Sequence, residues 1–135
     1  MGGLVGAQYG GIYDSYSNAT VKGGNNSTVG GLLSGNEEGA IVDSYASGPV
    51  SGGKSSLVGG LAGIDYPNTT TDNYWDTTTS GTKDGIGGGN TSGIIGLTNK
   101  KFRHGLPSGF DPSVWAEKKG FNGGLPYLIA NPPTN

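Results

Sequence analysis

A repeat of 28 to 29 residues is the feature that most constrains how this chain folds. Two short motifs carry it, and they read GGLVG and IYDSY in their first copies. They recur, with the third copies the least regular, at 2–6, 30–34 and 59–63 and at 12–16, 41–45 and 70–74. A unit this short cannot bury an apolar face alone, whereas stacked copies bury a continuous core. The sequence therefore predicts a stack of repeats.

The repeating unit is predicted to be built from β-strands. Glycine accounts for 29 of the 135 residues, and no stretch has the apolar spacing of an amphipathic helix. Short β-prone segments alternate instead with Gly, Asn and Ser. We expect an all-β fold, a right-handed parallel β-helix of about three coils over residues 1–92, with neighbouring coils about 4.8 Å apart. A two-sheet β-roll and a sandwich of hairpins are the alternative architectures.

Residues at equivalent positions of the repeats are expected to form columns that run through the stack. Leucine, isoleucine, valine and tyrosine occupy the columns that we assign to the core. These predicted columns are Leu4, Leu32 and Leu61; Ile12 and Ile41; Val21 and Val50; and Tyr16, Tyr45 and Tyr74.

The last forty or so residues lose the repeat and contain most of the bulky apolar side chains. A stack of strands must cover its open edge. We therefore assign residues 93–130 to an irregular C-terminal capping segment, in which Trp115 and Tyr127 pack against the last coil. Residues 131–135 are predicted to be frayed. Because Met1 directly precedes a repeat motif, we expect the chain to be part of a longer protein.

Charge and composition exclude several classes of function. The net charge is −2 and the chain has no cysteine. Nucleic-acid binding needs a basic stripe, which is absent, and no apolar run approaches the length of a membrane span. His104 and Arg103 are the only residues of their types, and neither has a recognisable catalytic partner in the sequence. We therefore predict no enzymatic activity and no cofactor.

The two motifs, followed by Val-x-Gly, resemble the GLUG repeat of large secreted bacterial surface proteins. These include filamentous-haemagglutinin-like adhesins of two-partner secretion systems and some immunoglobulin A peptidases. The segment after the repeats is also similar, through Asn73-Tyr74-Trp75-Asp76, Gly96-Leu97-Thr98 and Leu125-Pro126-Tyr127-Leu128. The resemblance implies a β-helical stalk on a secreted or cell-surface protein. It implies no catalytic residue.

Three aspartates at one repeat position form an acidic column, which is a candidate metal or catalytic site. Asp14, Asp43 and Asp72 share one position of the repeat, so stacking would bring their carboxylates about 5 Å apart. A Ca²⁺ site and a pair of catalytic acids are the functional alternatives. We favour a structural role in which each Asp accepts hydrogen bonds from backbone N–H groups of its own turn, without a metal.

Aromatic and amide side chains suggest contacts with sugars. Tyr9, Tyr13 and Trp75 are the candidates for exposed rings that stack on a glycan, but for these residues we favour packing or a lateral interface. Five asparagines begin Asn-x-Ser/Thr glycosylation sequences, namely Asn18, Asn25, Asn26, Asn68 and Asn90.

Together these observations predict a non-catalytic structural or adhesive module of a secreted bacterial surface protein. Its expected partners are the remainder of a longer parent chain and a glycan or protein receptor on a host surface. A glycan-binding or polysaccharide-cleaving β-helix protein is the alternative.

Overall fold

The structure is a computed structural model that describes residues 1–67 and 69–134. The glycosylation sequence at Asn68 and the last residue of the predicted frayed tail, Asn135, lie outside the described residues. In chain order the strands are β1 (Val5–Gln8), β2 (Ile12–Tyr13), β3 (Tyr16–Ser17), β4 (Val21–Lys22), β5 (Thr28–Gly30), β6 (Leu33–Asn36), β7 (Ile41–Val42), β8 (Tyr45–Ala46), β9 (Val50–Ser51), β10 (Leu57–Gly59), β11 (Ala62–Asp65), β12 (Thr70–Thr71), β13 (Asn73–Asp76), β14 (Ile86–Gly89), β15 (Ile94–Leu97), β16 (Trp115–Ala116) and β17 (Tyr127–Leu128). One short helix, α1 (Asn99–Phe102), and one 3₁₀ turn (Asn122–Gly124) complete the fold.

Parallel pairing between repeats dominates the architecture, so the all-β prediction is confirmed. Sheets with the orders β1-β6-β11-β14 and β15-β13-β8-β3 contain four strands each, and β12-β7-β2 contains three. Two further parallel pairs are β4-β9 and β5-β10, whereas β16 and β17 pair antiparallel. Among the described residues, no sheet closes on itself. Each strand of a repeat therefore bonds to its counterpart in the next repeat, and the repeats form layers.

The last layer is shorter than the sequence period, which corrects the predicted domain boundary. Ile12 pairs with Ile41 at the full step of 29 residues, whereas Ala62 pairs with Ile86 and Tyr74 pairs with Ile95. The shortened connections move the strands of this layer out of step with the 29-residue repeat. Because Ile94–Leu97 continues the sheet of β13, the layers extend to Leu97 and the boundary predicted after residue 92 is wrong.

The paired glycines of the GGLVG motif allow adjacent layers to approach closely. A Cβ atom added at Gly30 would lie 2.0 Å from the carbonyl oxygen of Leu33 and 2.6 Å from the Cα of Ala62. One added at Gly31 would lie 2.2 Å from the carbonyl oxygen of Gly60. No side chain fits at such distances, so glycine at these positions is a steric requirement of the stack.

The interior of the layers is apolar and contains most of the predicted columns. Leu32, Leu61 and Ile41 are fully buried, and Ile12 is nearly so. A second cluster contains Val21, Val29 and Val50. The prediction that Leu4 is buried is wrong, because its side chain is 53% exposed. Leu4 belongs to the edge layer of the described stack, and no layer lies on the outer side to cover its side chain.

Alongside the apolar columns runs a buried polar ladder that the sequence did not reveal. The side-chain amide of Gln8 donates to Asn36 Oδ1 at 2.7 Å, and Asn36 Nδ2 donates to Asp65 Oδ1 at 2.8 Å. Asn36 also donates to the carbonyl oxygen of Gly39 and accepts from its N–H group. Burial raises the pKa of the Asp65 carboxyl, and its Oδ2 atom has no hydrogen-bond partner. Asn36 is therefore the central member of the ladder, which links three layers.

Replacing Asn36 tests the strength of this ladder. Asn36→Ala removes four hydrogen bonds and leaves buried groups of Gln8, Gly39 and Asp65 without these partners. We expect the free energy of unfolding to fall by about 3 kcal/mol or more, measured by urea denaturation. Glu38→Ala is the control, because Glu38 is exposed two residues away and its loss should change stability by about 0.5 kcal/mol or less. Equal effects of the two variants would contradict a structural role for the ladder.

The C-terminal segment lies along the flank of the layers and packs on the tyrosine column. Tyr45 is fully buried at its centre, and its ring stacks on Tyr16 with the centroids 5.3 Å apart. Its hydroxyl group donates to the carbonyl oxygen of Pro126 at 2.6 Å and accepts from Asn122 Nδ2 at 2.9 Å. The aromatic rings of the segment that contact this column are Phe102, Phe110 and Trp115. The tyrosine column is thus the surface on which the C-terminal segment folds.

This placement corrects the prediction that Trp115 and Tyr127 pack against the last coil. Trp115 is almost fully buried, but it contacts Tyr16 and Tyr45 of the first two layers. Tyr127 is only half-buried and stacks on Phe121 within the segment itself, with ring centroids 5.8 Å apart. The segment covers a flank because the tyrosine side chains there offer a larger apolar surface than a strand edge does.

Truncation of Trp115 measures how much the packing of the C-terminal segment on this flank contributes to the free energy of unfolding. Trp115→Ala removes a buried indole and should lower the free energy of unfolding by about 3–5 kcal/mol. The control is Ile129→Ala, since Ile129 is 46% exposed and should cost about 1 kcal/mol or less. Chemical denaturation followed by tyrosine fluorescence is suitable for both. A loss below about 1 kcal/mol for Trp115→Ala would show that the segment contributes little to the fold.

Candidate functional site

Exposed tyrosines at one corner of the layers form the best candidate for a contact surface. Gln8 pairs with Asn36, and Asn36 pairs with Asp65, so the residues that follow them leave the sheet at equivalent positions. Two of these residues are Tyr9 and Tyr66, which are 71% and 62% exposed. Two layer spacings separate them, which places their backbones about 10 Å apart.

The third exposed ring of this corner is Tyr13, on strand β2, with 58% of its surface exposed. A Cβ atom added at Gly11 would lie 2.3 Å from Cε2 of the Tyr13 ring, so the ring lies back over Gly11, close to Tyr9 in the chain. Glu37 occupies the layer between Tyr9 and Tyr66 and is half-buried. We call Tyr9, Tyr13 and Tyr66 the tyrosine face. It offers aromatic surfaces beside a carboxylate, a combination that suits sugars.

Trp75 does not belong to this face, and its predicted exposure is wrong. Its side chain is 9% exposed and lies in the interior cluster, and the Nε1 atom has no hydrogen-bond partner. Its neighbours across the sheet are the small residues Ala46 and Gly96, which leave room for the indole inside. Because successive strand residues face opposite sides, Tyr74 points to the C-terminal segment, where it contacts Phe102 and Phe110, and Trp75 points into the layers.

Tyr66 was not among the residues predicted from the sequence to contact a ligand. Its signal was the repeat step, because Tyr66 follows Glu37 by 29 residues and Tyr9 by 57. A second missed residue is the fully buried Asp76. Its carboxylate accepts hydrogen bonds from the N–H groups of Thr78 and Thr79 and from Asn99 Nδ2, so it joins the third layer to the C-terminal segment.

The acidic column does lie at a corner, but its contacts differ from the prediction. Asp14, Asp43 and Asp72 adopt left-handed backbone conformations with φ of 43°, 50° and 52°, which Asp tolerates better than most residues. The following backbone N–H groups are bound by Ser44 Oγ and by Asn73 Oδ1, each at 3.1 Å. The predicted pattern, in which each Asp binds its own turn, is therefore wrong.

Instead, the acidic column meets the C-terminal segment. Asp14 Oδ1 accepts a hydrogen bond from Trp115 Nε1 at 3.2 Å, and Gly109 lies against the Asp72 carboxylate. Burial raises the pKa of the Asp43 carboxyl, and the charges of Asp14, Asp72 and Asp111 raise it further. In the part of the chain that the structure describes, no group of three or more His, Asp or Glu side chains is arranged to hold a metal ion.

His104 and Arg103 follow helix α1. The Nδ1 atom of the exposed His104 lies 2.6 Å from the carbonyl oxygen of Lys100, so this nitrogen carries the proton and the ring ends the helix. This contact is structural and brings no acid–base partner to the ring. Arg103 lines a separate cleft of the C-terminal segment, together with Glu117 and Lys119.

No protein-family model, curated protein or solved structure matches this chain. The resemblance of its motifs to the GLUG repeat therefore stays a prediction. Over residues 1–67 and 69–134, no helix has the length and apolar character needed to cross a membrane.

The pKa of Asp43, raised by burial and further by the neighbouring carboxylates, has a consequence for stability. Because the pKa of Asp43 is raised in the folded protein, its carboxyl stabilises the fold below the pKa of an unfolded Asp, and this contribution is lost as the pH rises through the raised value. Asp43→Asn removes the charge and keeps a residue that accepts positive φ. We expect the variant to be more stable at pH 7 in low salt, by under about 1 kcal/mol at this half-exposed position.

The pH and salt dependence of this difference distinguish repulsion from other effects. Thermal unfolding should show the difference disappearing at pH 3 and shrinking in high salt. Asp84→Asn is the matched control, because Asp84 is exposed and lies outside the column, and it should change little. A destabilised Asp43→Asn at pH 7 would mean that the charge of Asp43 is needed.

Proposed function

We propose that the stacked layers are a right-handed parallel β-helix that serves as a non-catalytic attachment module of a secreted bacterial surface protein. The parallel registers between repeats support this architecture, because each strand bonds to its counterpart one turn further along. Connections between parallel strands are almost always right-handed, which supports the handedness. The similarity of the repeat motifs to the GLUG repeat supports the location and the attachment role.

The tyrosine face is the proposed contact surface, and its ligand is a glycan or glycosylated receptor on a host surface. The single observation that carries this proposal is the exposure of Tyr9 and Tyr66 at one repeat position, on a hydrogen-bonded scaffold. Rigid aromatic rings lose little conformational entropy when a sugar stacks on them. The remainder of a longer parent chain would carry this surface away from the cell.

Polysaccharide cleavage is the less supported alternative. It requires a pair of carboxylates open to a substrate. Trp115 donates to Asp14, and Gly109 lies against Asp72, so residues of the C-terminal segment lie against the acidic column. For this reason we assign binding, and not cleavage, to the module.

A glycan array tests the attachment role. The wild-type module is compared with the triple variant Tyr9→Ser, Tyr13→Ser and Tyr66→Ser. We expect the variant to lose at least tenfold in affinity for any glycan that the wild type binds, because each stacked ring contributes about 0.5–1.5 kcal/mol.

The matched control is the double variant Ile95→Ser and Ile129→Ser, which removes exposed apolar side chains elsewhere. It should bind as the wild type does. Unchanged binding by the triple variant would move the contact surface away from the tyrosine face. The absence of any glycan bound by the wild type would refute glycan attachment itself.

A further inference from the structure

The positive charge of this chain is concentrated in its C-terminal segment. Residues 98–134 contain five of the eight Lys and Arg residues, and only Asp111 and Glu117 among the acids. The five basic residues are Lys100, Lys101, Arg103, Lys118 and Lys119. The layers, in contrast, carry eight acids and three lysines. An anionic ligand is therefore attracted to the C-terminal segment and repelled by the layers.

A cleft of about 560 Å³ lies within this basic segment, which is the size of a small-molecule site. Its lining consists of Arg103, Glu117, Lys119, Gly120, Gly123 and Gly124. One local contact holds a charged lining residue, Glu117, and another holds Lys118 beside the cleft. Glu117 Oε2 accepts a hydrogen bond from the N–H group of Gly105 at 3.0 Å, and Lys118 Nζ lies 4.5 Å from the centroid of the Phe121 ring. Lys118 is thus engaged beside the cleft, while Lys119 lines it.

The glycines leave one side of the cleft as bare backbone. Gly120, Gly123 and Gly124 have φ of 90°, 62° and 82°, a region in which most side chains are strained. At Gly120 and Gly123, an added Cβ atom would meet nothing within 4 Å. A ligand can therefore approach the backbone closely. A second groove shares Gly120 and Gly123 and continues past Asn18 to Thr134, which gives an extended ligand room on both sides of this loop.

We propose that this cleft binds an acidic sugar, a hydroxyl-rich molecule that carries a carboxylate. The guanidinium of Arg103 and the ammonium of Lys119 pair with the carboxylate, since Arg matches its two oxygens. Glu117 accepts hydrogen bonds from sugar hydroxyl groups through the oxygen that does not bind Gly105. A bare inorganic anion has no such hydroxyl groups and is repelled by Glu117, so the mixed charge of the lining selects the acidic sugar.

Calorimetric titration with galacturonate, galactose and inorganic phosphate tests the site on the full chain. Galacturonate is expected to bind at least tenfold more tightly than either galactose or phosphate. The double variant Arg103→Gln and Lys119→Gln should lose at least tenfold in affinity for galacturonate. Its control is Lys22→Gln with Lys54→Gln, which removes the same charge from the layers and should bind as the wild type does. Melting temperatures verify that each variant is folded, and Lys119→Glu provides a second charge change if the double variant does not fold.

Each other outcome overturns the proposal. If galactose bound as tightly as galacturonate, the carboxylate would have no role in binding. If phosphate bound as tightly as galacturonate, the cleft would be a general anion site. Absence of saturable binding, or equal losses in the two double variants, would refute a ligand site at this cleft. The triple tyrosine variant should bind galacturonate as the wild type does. The result at the cleft therefore does not depend on the result at the tyrosine face.

Discussion

Close contact between parallel strands of successive repeats is the constraint on which the rest of the structure depends. The hydrogen bonds of a parallel ladder fix the spacing of layers at about 4.8 Å, and this spacing is reached at the GGLVG motif only because a Cβ atom is missing. Once the layers approach this closely, equivalent residues are forced into columns. Apolar columns fill the interior, while Gln8 and Asp65 each form a hydrogen bond with Asn36 in a polar ladder.

The C-terminal segment depends on one of these columns. Tyr16 and Tyr45 stack in parallel because their backbones are held in register. Tyr45 also contacts three aromatic rings of the segment, donates a hydrogen bond to Pro126 and accepts one from Asn122. Burial raises the pKa of the Tyr45 phenol, and its protonated hydroxyl group donates to Pro126. An irregular segment with almost no secondary structure of its own is in this way ordered by a regular surface.

The two proposed binding surfaces differ in how the chain builds them. The tyrosine face belongs to the layers, and the repeat sets the spacing between Tyr9 and Tyr66. The basic cleft belongs to the C-terminal segment, and its shape comes from glycines with positive φ and from the hydrogen bond between Gly105 and Glu117. The first surface suits a long ligand that spans several layers, whereas the second is an open cleft that suits a ligand with a charged group.

The sequence by itself determined the period, the strand content and the residues that share a column, because a repeat encodes its own register. Ile12 with Ile41 and Val21 with Val50 follow directly from the step of 29 residues. Only the tertiary structure decided which columns are covered. Leu4 is exposed because it lies in an edge layer of the described stack. Trp75 is buried because Ala46 and Gly96 leave space beside it. Trp115 lies on the first two layers because the tyrosines there are the complementary surface. Burial depends on neighbours that are distant in the chain and outside the repeat, and a period carries no information about them.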